Sequence, residues 1–134
     1  KNNNNSNNNN DNNKNSSNLG ACCCALQSLR LAGNGITGHG LTQLAFALCR
    51  PQFLQSLTEL DLSRNRLGLE GASQIAAMLW QPTCKLARLG LAVARLRDTG
   101  VQALAAGFAA RSPERSWVPL ALNLRSNSIG DDGA

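Results

Sequence analysis

One histidine, five cysteines and a few aspartates are the residues of this 134-residue chain whose types invite acid–base, nucleophilic or metal chemistry. His39 stands in Gly38-His-Gly40, and no serine or cysteine is spaced to give it a nucleophile to activate. General-base and nucleophilic catalysis both need such a partner within hydrogen-bond reach, so His39 reads as a solvent-facing turn residue. Cys22, Cys23 and Cys24 are adjacent, while Cys49 and Cys84 are isolated. Zinc frames repeat Cys-x-x-Cys or add histidines, and neither pattern occurs. The triplet could be lipidated or bind metal, but small buried side chains at the start of the folded region are the better reading. The odd cysteine count points to a reducing compartment and so to a cytoplasmic protein. Asp98, Asp131 and Asp132 precede the expected helix starts, where a carboxylate complements the helix dipole. A calcium site would need more oxygen ligands at fixed loop spacing. The expectation is therefore no catalytic residue, no metal, no cofactor and no small-molecule substrate: the chain is not read as an enzyme.

The elements that carry these residues begin after a biased segment. Residues 1–18 contain twelve asparagines, with serine, lysine and aspartate making up the rest. Nothing apolar there can offset the entropy of ordering, so this reads as a disordered low-complexity tail. A folded region is expected over 19–134. Net charge is +5, but Arg30, Arg64, Arg88 and Arg125 fall far apart in the sequence and no basic run occurs. The excess reads as a solvated surface and nucleic acid as an unlikely partner. No eighteen-residue apolar stretch suggests a membrane span.

Within 19–134 a frame recurs four times: Leu-x-x-Leu-x-Leu-x-x-Asn-x-Ile/Leu, then a glycine. The first copy has Leu26, Leu29, Leu31, Asn34, Ile36 and Gly40; the second has Leu57, Leu60, Leu62, Asn65, Leu67 and Gly71. The third has Leu86, Leu89, Leu91, Leu96 and Gly100, with Ala94 in the asparagine slot. The fourth has Leu122, Leu124, Asn127, Ile129 and Gly133, with Pro119 in the first leucine slot. The asparagine slots lie 31, 29 and 33 residues apart. The repeats are expected at about 26–56, 57–85, 86–118 and 119–134. The last reaches its glycine without its helix, which reads as a C-terminally truncated fragment of a longer protein.

Each copy alternates like a strand and then turns helical. Leu60-x-Leu62 has the period of a strand, with both leucines inward and Asp61 outward. Asn65 follows at a turn, where its side chain can bond unpaired backbone groups. Ala94 cannot do this, so water or a shifted turn must serve, or the third copy is looser. Gly71 is expected at the start of a helix through Trp80, with Ile75, Met78 and Leu79 on its buried face and Pro82 ending it. Equivalent helices use Leu41, Leu44, Ala45 and Leu48, stopping near Pro51, and Val101, Leu104, Ala105 and Phe108, stopping before Pro113. Met78 and the phenylalanines are expected in the core. Trp117, in the long connection Arg111-Ser-Pro-Glu-Arg-Ser-Trp117, is expected to cover a core edge.

This pattern resembles the leucine-rich repeat family, and more narrowly its ribonuclease-inhibitor type, over about residues 26–134. Leu57, Leu60, Leu62, Asn65, Leu67, Gly71, Ile75 and Leu79 match the whole motif. Asn127-Ser-Ile-Gly-Asp-Asp-Gly133 and Leu60-Asp-Leu-Ser-Arg-Asn65 are similar to segments of nucleotide-binding immune receptors; the former is also similar to the activating protein of the nuclear-transport GTPase Ran. The resemblance implies an α/β solenoid, a partial horseshoe with parallel strands on the concave face and helices on the convex face. Leu29, Leu31, Asn34, Leu60, Leu62, Asn65, Leu89, Leu91, Leu122, Leu124 and Asn127 would be its structural positions. It further implies a non-catalytic module binding a protein partner through the concave face. Ser28, Arg30, Glu59, Asp61, Arg88 and Asn123 are the outward candidates, with Arg64 and Arg125 where strands exit. Gly90 and Ala121 fill the remaining outward positions. A fragment of a Ran-type GTPase-activating protein, or the sensor end of a nucleotide-binding receptor, are the alternatives; the receptor would need an upstream phosphate-binding loop.

Overall fold

A computed structural model describes residues 26–109 and 120–133. The tail, Cys22 to Cys24, the connection carrying Trp117, and Pro119 lie outside the described residues. Four three-residue strands form one parallel sheet in chain order: β1 (Ser28–Arg30), β2 (Glu59–Asp61), β3 (Arg88–Gly90) and β4 (Ala121–Asn123). The central leucines align in one row, Leu29 with Leu60, Leu60 with Leu89 and Leu89 with Leu122. Parallel neighbours need a long crossover, and helices supply it: α1 (Gly38–Leu48), α2 (Pro51–Leu54), α3 (Gly68–Trp80) and α4 (Arg97–Ala109). A 3-10 turn follows at Asp131–Gly133. The result is a partial α/β horseshoe with the core between sheet and helices. Leu60, Leu62, Leu67, Ile75, Leu79, Leu89, Leu91, Leu96 and Leu104 are buried there.

The sheet ladder continues past the strands into the turns. Leu62 N–H donates to Gly90 O at 2.8 Å and Arg64 N–H to Ala92 O at 2.7 Å. In the same way Leu91 N–H donates to Asn123 O and Val93 N–H to Arg125 O, both at 2.9 Å. The asparagines lock these stacked turns together. The Asn65 amide nitrogen donates to Leu62 O in its own turn and to Leu31 O in the one before, while its oxygen accepts Ile36 N–H. Asn127 repeats this, donating to Leu124 O and Leu91 O and accepting from Ala94 N–H and Leu96 N–H. Both are buried, and each satisfies groups that would otherwise be left without partners. Asn34 is exposed, because the described residues give it no preceding turn to grip.

Ala94 keeps the turn without the side chain. Its main-chain carbonyl accepts Gly68 N–H at 3.2 Å, as the Asn127 carbonyl accepts Arg97 N–H one repeat on, and also takes Leu67 N–H at 3.1 Å, whose counterpart Leu96 N–H goes to the Asn127 side chain. Ala94 itself is fully buried. The third copy is therefore not looser, and its backbone follows the others: Val93, Arg95 and Arg97 have left-handed φ of 55°, 58° and 55°, at positions that Gly33 and Ser126, Gly35 and Ser128, and Gly68 hold in neighbouring copies.

Several sequence expectations change. The helices start earlier than the glycines suggested: α3 begins at Gly68 and α4 at Arg97. Gly71 and Gly100 sit inside the first turns because the backbone passes tightly there. A Cβ on Gly71 would lie 2.6 Å from Leu67 Cβ, and one on Gly100 3.0 Å from Leu96 Cβ. Asp98 likewise lies in the first turn of α4, not before it, and its Oδ1 accepts Gly130 N–H at 2.6 Å. Helix α1 ends at Leu48, and Pro51 opens α2 as its first residue, where the missing N–H costs nothing. Phe46 is 75% exposed, outside the core, and Ala105 is exposed as well.

Candidate functional site

The concave sheet face is built from the residues flanking each central leucine. Pairing aligns Ser28, Glu59, Arg88 and Ala121 in one row and Arg30, Asp61, Gly90 and Asn123 in the next. All eight thus lie on one surface. Glu59 joins the rows' charges: one carboxylate oxygen accepts from Arg30 Nε at 3.1 Å, the other from the Arg88 terminal nitrogen at 2.8 Å and Nε at 3.3 Å. These bonds, Arg88 first and Arg30 second, hold the Glu59 carboxyl below the ordinary carboxylate range. The arginine side chains are 73% and 65% exposed, and ion pairs so wet add little to stability. Their contribution is a fixed display of cationic groups.

Beside this triad the sheet is hollow. Gly90 and Ala121 carry almost no side chain, leaving an open depression of about 300 Å³ bordered by Glu59, Asp61, Ser63, Arg88 and Asn123. A Cβ at Gly90 would displace the Asp61 carboxylate and crowd Ser63 Oγ at 3.0 Å, so the glycine leaves both side chains where they are. Asp61 Oδ1 accepts Ser63 N–H at 3.0 Å, and Ser63 Oγ accepts Ala92 N–H at 3.2 Å. Asn123 holds the next turn in the same manner, accepting Arg125 N–H at 3.1 Å. The walls of the depression are thereby fixed, while its floor is main chain.

Nothing described matches a catalytic arrangement. His39 is exposed in the first turn of α1 rather than in a loop. Cys84 is buried and Cys49 half-buried, both as free thiols. Burial, with a smaller contribution from Cys84, pushes the Cys49 thiol up, away from the thiolate a nucleophile needs. Among the described residues no group of three His, Cys, Asp or Glu is placed to hold a metal, and no helix is long and apolar enough to cross a membrane.

A family model described as Leucine Rich repeat matches residues 22–45, 53–76 and 120–134, segments that hold β1, β2 and β4 and the turns after them. The chain carries a leucine-rich repeat domain. Over 109 residues, 81% of this chain, it is 38% identical to NACHT, LRR and PYD domains-containing protein 5 of Homo sapiens and spans 8% of that protein. It is 33% identical over 109 residues to the Ribonuclease inhibitor of Mus musculus, spanning 22% of it. It is 39% identical over 79 residues to NACHT, LRR and PYD domains-containing protein 12 of Homo sapiens, spanning 7% of it. The repeats resemble those of the ribonuclease-inhibitor and NACHT-LRR type, and the chain spans less than a quarter of each of these relatives.

The repeat stack also assembles something that its sequence disperses. Arg64 and Arg66 flank Asn65, Arg95 and Arg97 follow Ala94, and Arg125 precedes Asn127. All five are exposed, and stacking brings them onto one rim where the strands pass into the helices. Of these, only Arg64 and Arg125 stand out from a linear reading. Arg66, Arg95 and Arg97 become visible when positions are compared one repeat apart instead of along the chain.

Proposed function

We propose that this chain is a non-catalytic protein-interaction module that engages a protein partner over its concave sheet. The observation carrying this reading is the depression over Gly90 and Ala121, walled by the paired Glu59 and Arg88 on one side and by Asp61, Ser63 and Asn123 on the other. A floor of main chain admits a partner side chain, and ordered polar walls select it; both are features of a protein-binding surface. Arginines held in place by a carboxylate suit the anchoring role that arginine often takes at interfaces. The experiment is affinity capture with the complete chain. Glu59→Ala with Arg88→Ala should abolish the partner retained by wild type, whereas Gln43→Ala on the exposed face of α1 should retain it. Retention by the first variant and loss by the second would overturn the proposal.

A second reading, the sensor end of a nucleotide-binding receptor, is favoured by the two relatives whose names include NACHT. It predicts that the full-length protein carries a phosphate-binding loop and binds nucleotide there. A complete transcript lacking that loop would remove it. The Ran-type alternative predicts faster GTP hydrolysis by a purified Ran-like GTPase when the full-length protein is added.

A further inference from the structure

We infer that the arginine rim is a second binding surface, distinct from the concave face, and that it takes an acidic segment of a protein. Arg64, Arg66, Arg95, Arg97 and Arg125 project from three successive turns. Main-chain bonds hold those turns together: Arg64 N–H to Ala92 O, Val93 N–H to Arg125 O and Arg97 N–H to Asn127 O. Stacked turns repeat at about the 4.8 Å spacing of neighbouring strands. Arg66 and Arg95 hold equivalent positions in adjacent turns, so their backbones lie within one Debye length of about 8 Å, and Arg64, Arg97 and Arg125 flank them along the same turns.

Charge of one sign held this closely is unfavourable unless something compensates it, and the described residues do not. Their two ion-paired arginines are Arg30 and Arg88, both on the concave face; none of the five rim arginines makes an ion pair or side-chain hydrogen bond among the described residues. Carboxylates of the same repeats serve other groups: Asp61 accepts Ser63 N–H, Asp98 accepts Gly130 N–H and Glu70 packs against Gly38, and among the described residues none of them is ion-paired to a rim arginine. Backbone geometry adds a second observation. Arg64, Arg95 and Arg97 hold φ of 59°, 58° and 55°, a region where glycine or asparagine is easier. Long cationic side chains are displayed there despite that strain.

The chemistry of the rim selects among anions. Guanidinium forks bind carboxylates two bonds at a time. A single-stranded nucleic acid would also meet the charge, but it gains much of its affinity from aromatic stacking platforms. The exposed aromatics of the described residues, Phe46 and Trp80, lie along α1 and at the far end of α3, about 12 and 18 Å from the starts of those helices. Val93 and Leu69, both about half exposed, offer apolar contacts beside the arginines instead. An acidic peptide with interspersed apolar side chains fits this composition.

The test is fluorescence anisotropy of the complete chain with a labelled decaglutamate peptide, a decaglutamine peptide and a single-stranded RNA of equal charge. The glutamate peptide should bind, more weakly as salt rises, with the glutamine peptide silent and the RNA weaker. Arg95→Gln with Arg97→Gln should lower affinity about tenfold, whereas Arg88→Gln on the concave face should leave it unchanged. If the double variant loses its circular-dichroism signature, Arg66→Gln alone decides, since Arg66 lies outside the left-handed positions; it should weaken binding several-fold. Equal binding of the glutamine peptide, tighter binding of RNA, or loss on Arg88→Gln without loss on the rim variants would each overturn the inference. Because the concave proposal is read through Arg88 and the rim through Arg66, either can fail alone.

Discussion

Val93 is a β-branched residue at φ 55°, 47% exposed, in the turn where Ala94 replaces an asparagine. Left-handed backbone costs an L-residue roughly 1–2 kcal/mol, and asparagine tolerates it better. Little packing would be lost from so exposed a side chain, so Val93→Asn should stabilise the chain by about 1 kcal/mol. A urea midpoint that rises with unchanged slope would establish it, and an unchanged or lower midpoint would show that the turn carries no strain. Glu59 gives the pH dependence at this scale. Its folded pKa is lowered by Arg88 and then Arg30, so the ionised form is favoured in the folded state. That contribution is fully present above the unfolded carboxylate range, near 4.5, and fades as pH falls through the lower folded value. Glu59→Gln should therefore lower stability slightly at neutral pH and converge with wild type in acid, which flattens the acid limb of stability against pH. An acid limb as steep as wild type would assign it to other carboxylates.

The helices α3 and α4 meet where both are small. A Cβ on Gly107 would lie 2.6 Å from Ala76 Cβ and 3.0 Å from Ala76 Cα, and a backbone atom cannot rotate away. Gly107→Ala would gain about 1 kcal/mol of helix propensity against an overpacking cost of typically 1–3 kcal/mol, leaving a small net loss. Gly107→Val has less propensity to gain and more volume to place, so it should destabilise by about 2–3 kcal/mol, read as a lower thermal midpoint. Stability equal to wild type would mean that the helices can part freely. This contact also shows what the sequence made legible in the elements. The leucine period gave strand register directly, because an inward side chain repeats every second residue and Leu29, Leu60, Leu89 and Leu122 each sit in the same frame. The glycines misled about helix starts. Gly71 and Gly100 are glycine because Leu67 and Leu96 press on them, a contact between a helix and its own entry turn that no local propensity records. Phe46 was misplaced because its neighbours Ala45 and Leu48 are buried while its own position on α1 faces outward.

At the scale of the whole stack, each repeat contacts its neighbours and little else. That makes the arginine rim illegible along the chain, since Arg66 and Arg95 are 29 residues apart in sequence but belong to adjacent turns. The same one-dimensional order makes stability depend on position. The row of central leucines is chemically uniform, yet Leu60 and Leu89 are 1% exposed while Leu29 and Leu122 are only half-buried. A buried leucine truncated in mid-stack loses contacts to two neighbouring repeats and leaves a cavity between them. Leu60→Ala should thus cost on the order of 3–4 kcal/mol, and Leu122→Ala about half as much. Amide exchange should follow the same gradient, slowest for Leu62, whose N–H bonds to Gly90 O in mid-stack at 2.8 Å, and faster for Leu91, whose acceptor Asn123 O at 2.9 Å belongs to β4. Equal costs for the two leucines, with uniform exchange across the sheet, would mean that the repeats unfold as one block with no separate opening at β4.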